Sequence, residues 1–405
     1  MKPCMAVASI LLLTATFLSH AQTWKFSSPL DVTATNASGV FHHLESSGRR
    51  NIVATESLVA VAWEDNRNGS PQIYLARKAL SAKDFTAEIK VSGGGEAYEP
   101  SLLALDNDRF VVAWEEDGRI RARIVTANGP GPILTLGLQD ASQVSLIRQQ
   151  QLLLLVYSQV SKKHRRVWLQ ALQIQGQSLR SSQSCPVDVE PAKDDQLYPT
   201  IVSQGDRIVT AWEDRRPGYT IIMAAQSHNK SPCKFSSPQR ISAALPMRTS
   251  AFGKGHGVAR VALAAYGAGQ TMAVWADKRD FREGYDIYAA RYQPGKKLFG
   301  VNSKVQDSFG DVAQQWHPAI AGNSMGQIVV AWDDNRDGDA NIMLSRFQDN
   351  KWSDDIEVAP ASGQGEQTHP SIYLDEDNNL HLVWIERIKI GGPTRLRYAF
   401  ARATK

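Results

Sequence analysis

Cysteine is scarce, with three in 405 residues, and one of them, Cys4, lies at the extreme N-terminus. Cys185 and Cys233 stand too far apart for a C-x-x-C or zinc pattern. A disulfide between them and two separate thiols both remain open, because geometry decides. Charge of one sign is lacking too: 45 Lys and Arg face 41 Asp and Glu, a net +4, with no run of five like charges. That excludes the concentrated basic footprint of a dedicated nucleic-acid binder. Long apolar runs are absent except for Ala6 to Leu18, which follows Lys2 and precedes Ser19-His20-Ala21. This run is too short to span a bilayer, and its flanks have the pattern of a secretory signal. The expectation is a signal peptide over 1–21 and a single domain over 22–405, exported to the periplasm or beyond, with no membrane insertion. No ten-residue helical stripe occurs, nor any G-x-S-x-G, P-loop, H-E-x-x-H or catalytic-cysteine motif. No cofactor and no metal site is therefore expected.

Repetition is what the chain does have. VAWEDNRNGSPQIYLAR from Val61 returns as TAWEDRRPGYTIIMAA from Thr210, AVWADKRDFREGYDIYAAR from Ala273 and VAWDDNRDGDANIMLSR from Val330. Weaker copies begin at Val112, Leu155 and Leu382. Their anchors are Trp63, Trp114, Tyr157, Trp212, Trp275, Trp332 and Trp384, spaced 43 to 63 residues apart. Seven copies at a period near fifty indicate a propeller or solenoid. Within each copy, short β-branched runs alternate with Asp-Asn, Asn-Asn and Asn-Gly turn signals. Four strands can be traced per copy: one after a proline such as Pro100, Pro199, Pro318 or Pro370, one ending near the Trp, an Ile-Tyr strand, and an outer strand. The fold class is all-β, a seven-bladed propeller of four-stranded blades. The last copy has only three strands, whereas Lys25-Phe26-Ser27-Ser28-Pro29 matches the fourth-strand segment Lys234-Phe235-Ser236-Ser237-Pro238. The N-terminal segment should therefore close the last blade and remove an open sheet edge.

The phrase W-x-[DE]-x-R-x-G-x(n)-[IL]-Y resembles repeats of exported sialidase-like and BNR-type propeller proteins, and the resemblance covers nearly all of residues 22–405. It implies the propeller architecture. Enzymatic members of that family have six blades, Asp-boxes of the form S-x-D-x-G-x-x-[TW] and three substrate-binding arginines. This chain has seven repeats and no Asp-box.

The acids two residues after the anchors are Asp65, Glu116, Asp214, Asp277, Asp334 and Glu386, and the arginines four after are Arg67, Arg216, Arg279 and Arg336. Such repeated groups read as scaffold that each stacked unit needs, the acid capping a turn and the Arg bridging it. Departures from the repeat point to the site. The residue before the first-strand proline, or its equivalent, should ring the channel mouth: Glu99, Tyr198, Arg260, His317 and His369, with equivalents near Gly48 and Ser142. His42, His43, His164 and His256 belong to the same face. A long loop over 244–260 adds Arg248, Lys254 and His256, a set suited to an anionic group, and an enlarged loop from Asp277 to Asp286 follows it. The ligand-binding candidates are thus Glu99, Tyr198, Arg260, His317, His369 and His256. The function they indicate is non-catalytic binding of a glycan or protein partner. The alternatives are a sialidase-like glycoside hydrolase using Glu99 and Arg260, and a structural subunit of an envelope complex.

Overall fold

A computed structural model describes residues 24–404 except 46, 139, 245–248, 251–252, 255–256, 280–283, 297 and 311–312, and gives only the backbone of 249–250 and 253–254. The signal-peptide expectation, His256 and Arg248 lie outside the described residues. Among the described residues regular structure is strand, apart from two single turns of 3-10 helix at Ser308–Gly310 and Ala359–Ala361. Among the described residues no helix is long and apolar enough to cross a membrane.

Seven antiparallel sheets form the blades, as the repeats predict. Blade 2 shows the plan: Ala97–Ala104 innermost, then Phe110–Glu116, Arg119–Thr126, and an outer strand in two pieces, Gly129–Pro130 and Leu134–Leu136. The innermost strands of blades 3 to 7 are Ala141–Gln149, Gln196–Gln204, Val258–Tyr266, Gln315–Gly322 and Glu366–Leu374, set side by side around the axis. These strands begin about three residues before the expected proline. Proline has no N–H for a regular ladder, and it sits instead at a bulge inside the strand.

The core is divided into slabs between blades. Trp63, on Leu58–Asp65 of blade 1, packs with Val383 and Tyr398 of blade 7; Trp114 packs with Val53 and Leu75 of blade 1. Both indoles are fully buried. Every anchor Trp thus faces the preceding blade, because alternate residues of a strand face opposite sides and both sides here are covered.

Closure follows the expected route. Trp24–Phe26 pairs with Arg395–Ala403 of blade 7, placing Trp24 opposite Ala403 and Phe26 opposite Ala401. Leu30 stands opposite Tyr398, and the Trp24 indole donates to the Asn378 carbonyl at 3.0 Å. The question left open for the cysteines is resolved: Cys185 on the outer strand of blade 3 bonds Cys233, with Cα atoms 5.7 Å apart. A tight turn at His228–Ser231 brings Cys233 back from blade 4 toward its neighbour.

Deleting residues 24–31 should lower the melting temperature of the entire ring in a single transition; an unchanged melting curve by circular dichroism would refute closure as a determinant of stability. Replacing both cysteines by Ala removes a cross-link spanning 48 residues, and chain entropy sets the expected loss at about 4 kcal/mol in urea unfolding.

Candidate binding site at the channel mouth

The repeated Asp and Arg groups form a scaffold. In blade 1 the Trp63 indole donates to Asp65 at 2.8 Å, Asp65 accepts the Arg67 backbone N–H at 3.1 Å, and Arg67 returns Nε and Nη2 to the same carboxylate. Asp214 with Arg216, Asp277 with Arg279 and Asp334 with Arg336 repeat this contact. The guanidiniums also reach the preceding blade junction: Arg216 meets Asp188 at 2.6 Å and Arg336 meets Asp307 at 3.6 Å. Blade 2 substitutes Glu116, which caps the amides of Gly93, Gly94 and Gly95. Blade 7 departs from the expected pattern. The Trp384 indole donates to Gln367 at 2.8 Å, and Glu386 lies beside Arg395 and Arg397 instead.

The ring at the mouth arises from the bulges. In blades 2 to 7 the first strand spends one more residue than its partner, for example between Tyr98 and Ser101 opposite Glu115 and Ala113. The extra residue is left-handed each time: Glu99, Gln143, Tyr198, Arg260, His317 and His369 have φ between 47° and 63°. The blade 3 member is therefore Gln143, one residue beyond the expected Ser142. A non-glycine residue in this region costs about 1–3 kcal/mol. An acid on the second strand of the preceding blade holds the bulge amide. Glu64 accepts from Glu99 at 3.2 Å, Glu213 from Arg260 at 2.8 Å, Asp333 from His369 at 3.2 Å, and Glu115 from Gln143. The Gln143 side chain does the same for Tyr198 at 2.9 Å.

Blade 1 is different. Its first strand is split into His42–His43 and Ile52–Ala54, with eight residues between the two pieces against two on the partner strand. The intervening segment crosses the channel. A Cβ on Gly48 would lie 2.8 Å from the Val261 carbonyl and 3.1 Å from Thr200 Cβ, so only glycine fits against blades 4 and 5. Arg49 spans from Glu99 at 3.4 Å to the Pro199 carbonyl at 3.4 Å. Asn51 donates to the carbonyls of Ala62 and Pro100. The mouth consequently has a floor.

On this floor the ring groups meet. Arg260 lies 3.8 Å over the Tyr198 ring and 3.4 Å from Glu45. His317 and His369 stack at 3.7 Å, and His43 meets His369 edge-on at 5.5 Å. The His317 Nδ1 lies 2.8 Å from Asp333. Trp316 packs at 3.9 Å on Tyr285. Burial pushes the carboxyls of Glu64 and Glu213 up to about 7, and burial with the nearby Glu99 pushes Glu115 up to about 8. Burial raises Glu99 as well, against the pull of Arg49. Burial opposes the His317 imidazolium, but Asp333 outweighs it and the pKa rises. Burial and the neighbouring His317 and His43 depress His369 well below the ordinary range.

The structure thus brings together Glu99, Tyr198, Arg260, His317, His369 and His43. It does not bring in His42, which is buried against Thr394, nor His164, which lies 3.7 Å from Asp195 in blade 3. No group of three His, Cys, Asp or Glu among the described residues has metal-holding geometry. Glu45, Arg49 and the acids Glu64, Glu115, Glu213 and Asp333 were missed from the sequence. The signal for the four acids is the residue right after each anchor Trp, which strand alternation turns toward the following blade.

No protein-family model and no curated relative matches the chain. Among solved structures the fold is similar to polysaccharide lyase Uly1, with a TM-score of 0.58 at 9% identity over 88% of this chain and 90% of that one. A protein of unknown function from Dyadobacter fermentans follows at 0.52 and 11%, over 94% and 99%. A Penicillium chrysogenum α-L-arabinanase complexed with arabinobiose gives 0.46 and 13%, over 75% and 92%. The TM-scores of the first two show a shared fold.

The raised carboxyls have a sign that can be measured. Above about pH 5 the unfolded chain has lost these protons, while the folded protein holds them up to about pH 7 to 8, so stability falls across that range and levels off beyond it. The melting temperature should drop between about pH 5 and 8, and Glu115→Gln, which stays neutral, should flatten that drop and exceed the native protein at about pH 9. Parallel pH profiles for the two proteins would contradict this assignment.

Proposed function

We propose that the protein is an exported, non-catalytic propeller that binds a glycan at the channel mouth. The observation that carries this is the ring of six left-handed, non-glycine residues. Glycine adopts that backbone without strain, yet six side chains of five chemical kinds stand there. Strain retained in this way is the mark of a functional site. Varied polar groups beside half-buried aromatic rings, here Tyr198 and Trp316, suit a ligand with both hydroxyl groups and apolar ring faces. The shared fold of a polysaccharide lyase and the resemblance to sialidase-like and BNR-type repeats support the same ligand class.

Binding is favoured over hydrolysis because the mouth carboxylates are committed. Glu64, Glu115, Glu213 and Asp333 each hold a bulge amide, Glu99 faces Arg49, and Glu45 faces Arg260. A glycosidase needs a pair free to serve as acid and base or nucleophile. Export is supported by the signal-like N-terminus and by the bonded cysteines, since disulfides persist in oxidising compartments. N-terminal sequencing of the native protein should begin at Gln22.

A glycan array probed with residues 22–405 should give binding that falls at least tenfold in Arg260→Ala/His317→Ala. Silence of the unmodified protein across the array would overturn the proposal. Release of reducing sugar from a bound glycan, abolished by Glu99→Gln, would replace it with the hydrolase reading.

A further inference from the structure

We infer that a groove between blades 3 and 4, on the same face as the mouth, is a second binding site that takes an acidic saccharide chain. Blade 3 alone lacks both the anchor Trp and the acid two residues after it, and carries Tyr157, Gln159 and Ser161 where the scaffold blades have Trp, Asp and Arg. In their place is a basic run, Lys162-Lys163-His164-Arg165-Arg166, broken as a block of like charge only by the histidine. Its strands Leu152–Ser161 and His164–Gln175 are longer than their counterparts in the other blades and pair up to the two-residue turn Lys162-Lys163. Lys162 is left-handed, with φ of 60°. Such turns prefer Asn, Asp or Gly, so a lysine pair is held at strained, exposed backbone.

The lysines and arginines of this run make no ion pair among the described residues. Arg166 donates to the carbonyls of Asp194 and Ala192, and the Arg165 guanidinium to the Asp140 carbonyl and the Ser142 hydroxyl. Neither makes an ion pair, and neither lysine does, among the described residues; the arginines of the four scaffold blades all lock onto an Asp. The nearby acids are otherwise occupied. Asp188 is held by Arg216 and Gln196, Glu190 by the Ser237 hydroxyl, and Asp195 accepts the Arg165 backbone N–H and lies beside His164.

The lysines, His164 and Arg166 line one side of a groove of about 770 Å³. Trp168, Pro186 and Val189 supply its apolar surface, and Val189 is 50% exposed. The Trp168 indole N–H is buried without an acceptor. Anion-binding cations beside an aromatic face match a sugar ring that bears a carboxylate or a sulfate, and this site does not depend on the mouth for its chemistry.

The test is affinity electrophoresis of the protein of residues 22–405 in gels containing polygalacturonate, dextran sulfate or neutral dextran at 150 mM salt. Retardation is expected in one or both acidic gels and not in neutral dextran; which polymer retards distinguishes carboxylate from sulfate recognition. Lys162→Glu/Lys163→Glu should weaken retention at least tenfold, while Lys83→Glu/Lys90→Glu, the same charge change on exposed lysines of blade 1, should preserve it. No retention in either acidic gel, equal retention in neutral dextran, or equal losses in the two charge-reversal variants would overturn the inference. Loss in Arg260→Ala alone would return the anion to the mouth.

Discussion

The hydrogen bond from a left-handed bulge amide to an acid of the preceding blade is the contact on which the mouth depends. Each bulge turns one side chain of the innermost strand toward the axis, and each leaves an N–H that its own sheet cannot satisfy. An orphaned buried donor costs about 1–3 kcal/mol, on top of the strain of the backbone itself. Glu64, Glu115, Glu213 and Asp333 remove that penalty and also join neighbouring blades near the axis, where the slabs of hydrophobic packing narrow. The groups that shape the mouth are therefore part of the structure that keeps the ring shut.

Strand alternation divides the labour within W-E-D. Trp63 and Asp65 face the preceding blade and, with Arg67, close a junction away from the axis. Glu64, between them, faces the following blade and reaches the mouth. This geometry crowds six carboxyl groups near two guanidiniums, and burial raises Glu64 and Glu213 to about 7 and Glu115 to about 8, so part of their population is neutral near pH 7. A neutral carboxyl both donates and accepts a hydrogen bond, as a sugar hydroxyl does. The electrostatics of the mouth thus match a polyhydroxylated ligand better than a simple ion.

Blade number, strand order and closure were legible in the sequence because each follows from something repeated: the anchor Trp, the turn residues, and the Lys-Phe-Ser-Ser-Pro segment at the N-terminus. Five ring residues were legible because four precede a proline and Arg260 holds the matching place. Glu45 and Arg49 were not, since they belong to an insertion in blade 1 with no counterpart elsewhere, and only Gly48, pressed against the Val261 carbonyl, hinted at a close approach. The mouth acids were visible as letters but hidden by emphasis on the more regular Asp and Arg beside them. The disulfide was undecidable from spacing, because it depends on a turn at His228–Ser231 that folds back across a blade boundary.

The blade 1 insertion also decides how a ligand can approach. Arg49 reaches blades 2 and 4, and Gly48 touches blades 4 and 5, so the chain itself forms a floor across the axis at the mouth. A ligand of the mouth must come from the face where the bulge residues stand and lie across it. The blade 3 hairpin borders that same face, and Arg165 binds the hydroxyl of Ser142, the residue next to ring member Gln143. Mouth and groove are thereby joined through one blade, so the proposed saccharide ligand would meet a path across the face rather than a single pocket. Propeller geometry favours this arrangement: seven similar supports fix the face, and the two blades that depart furthest from the repeat, the first and the third, give it direction.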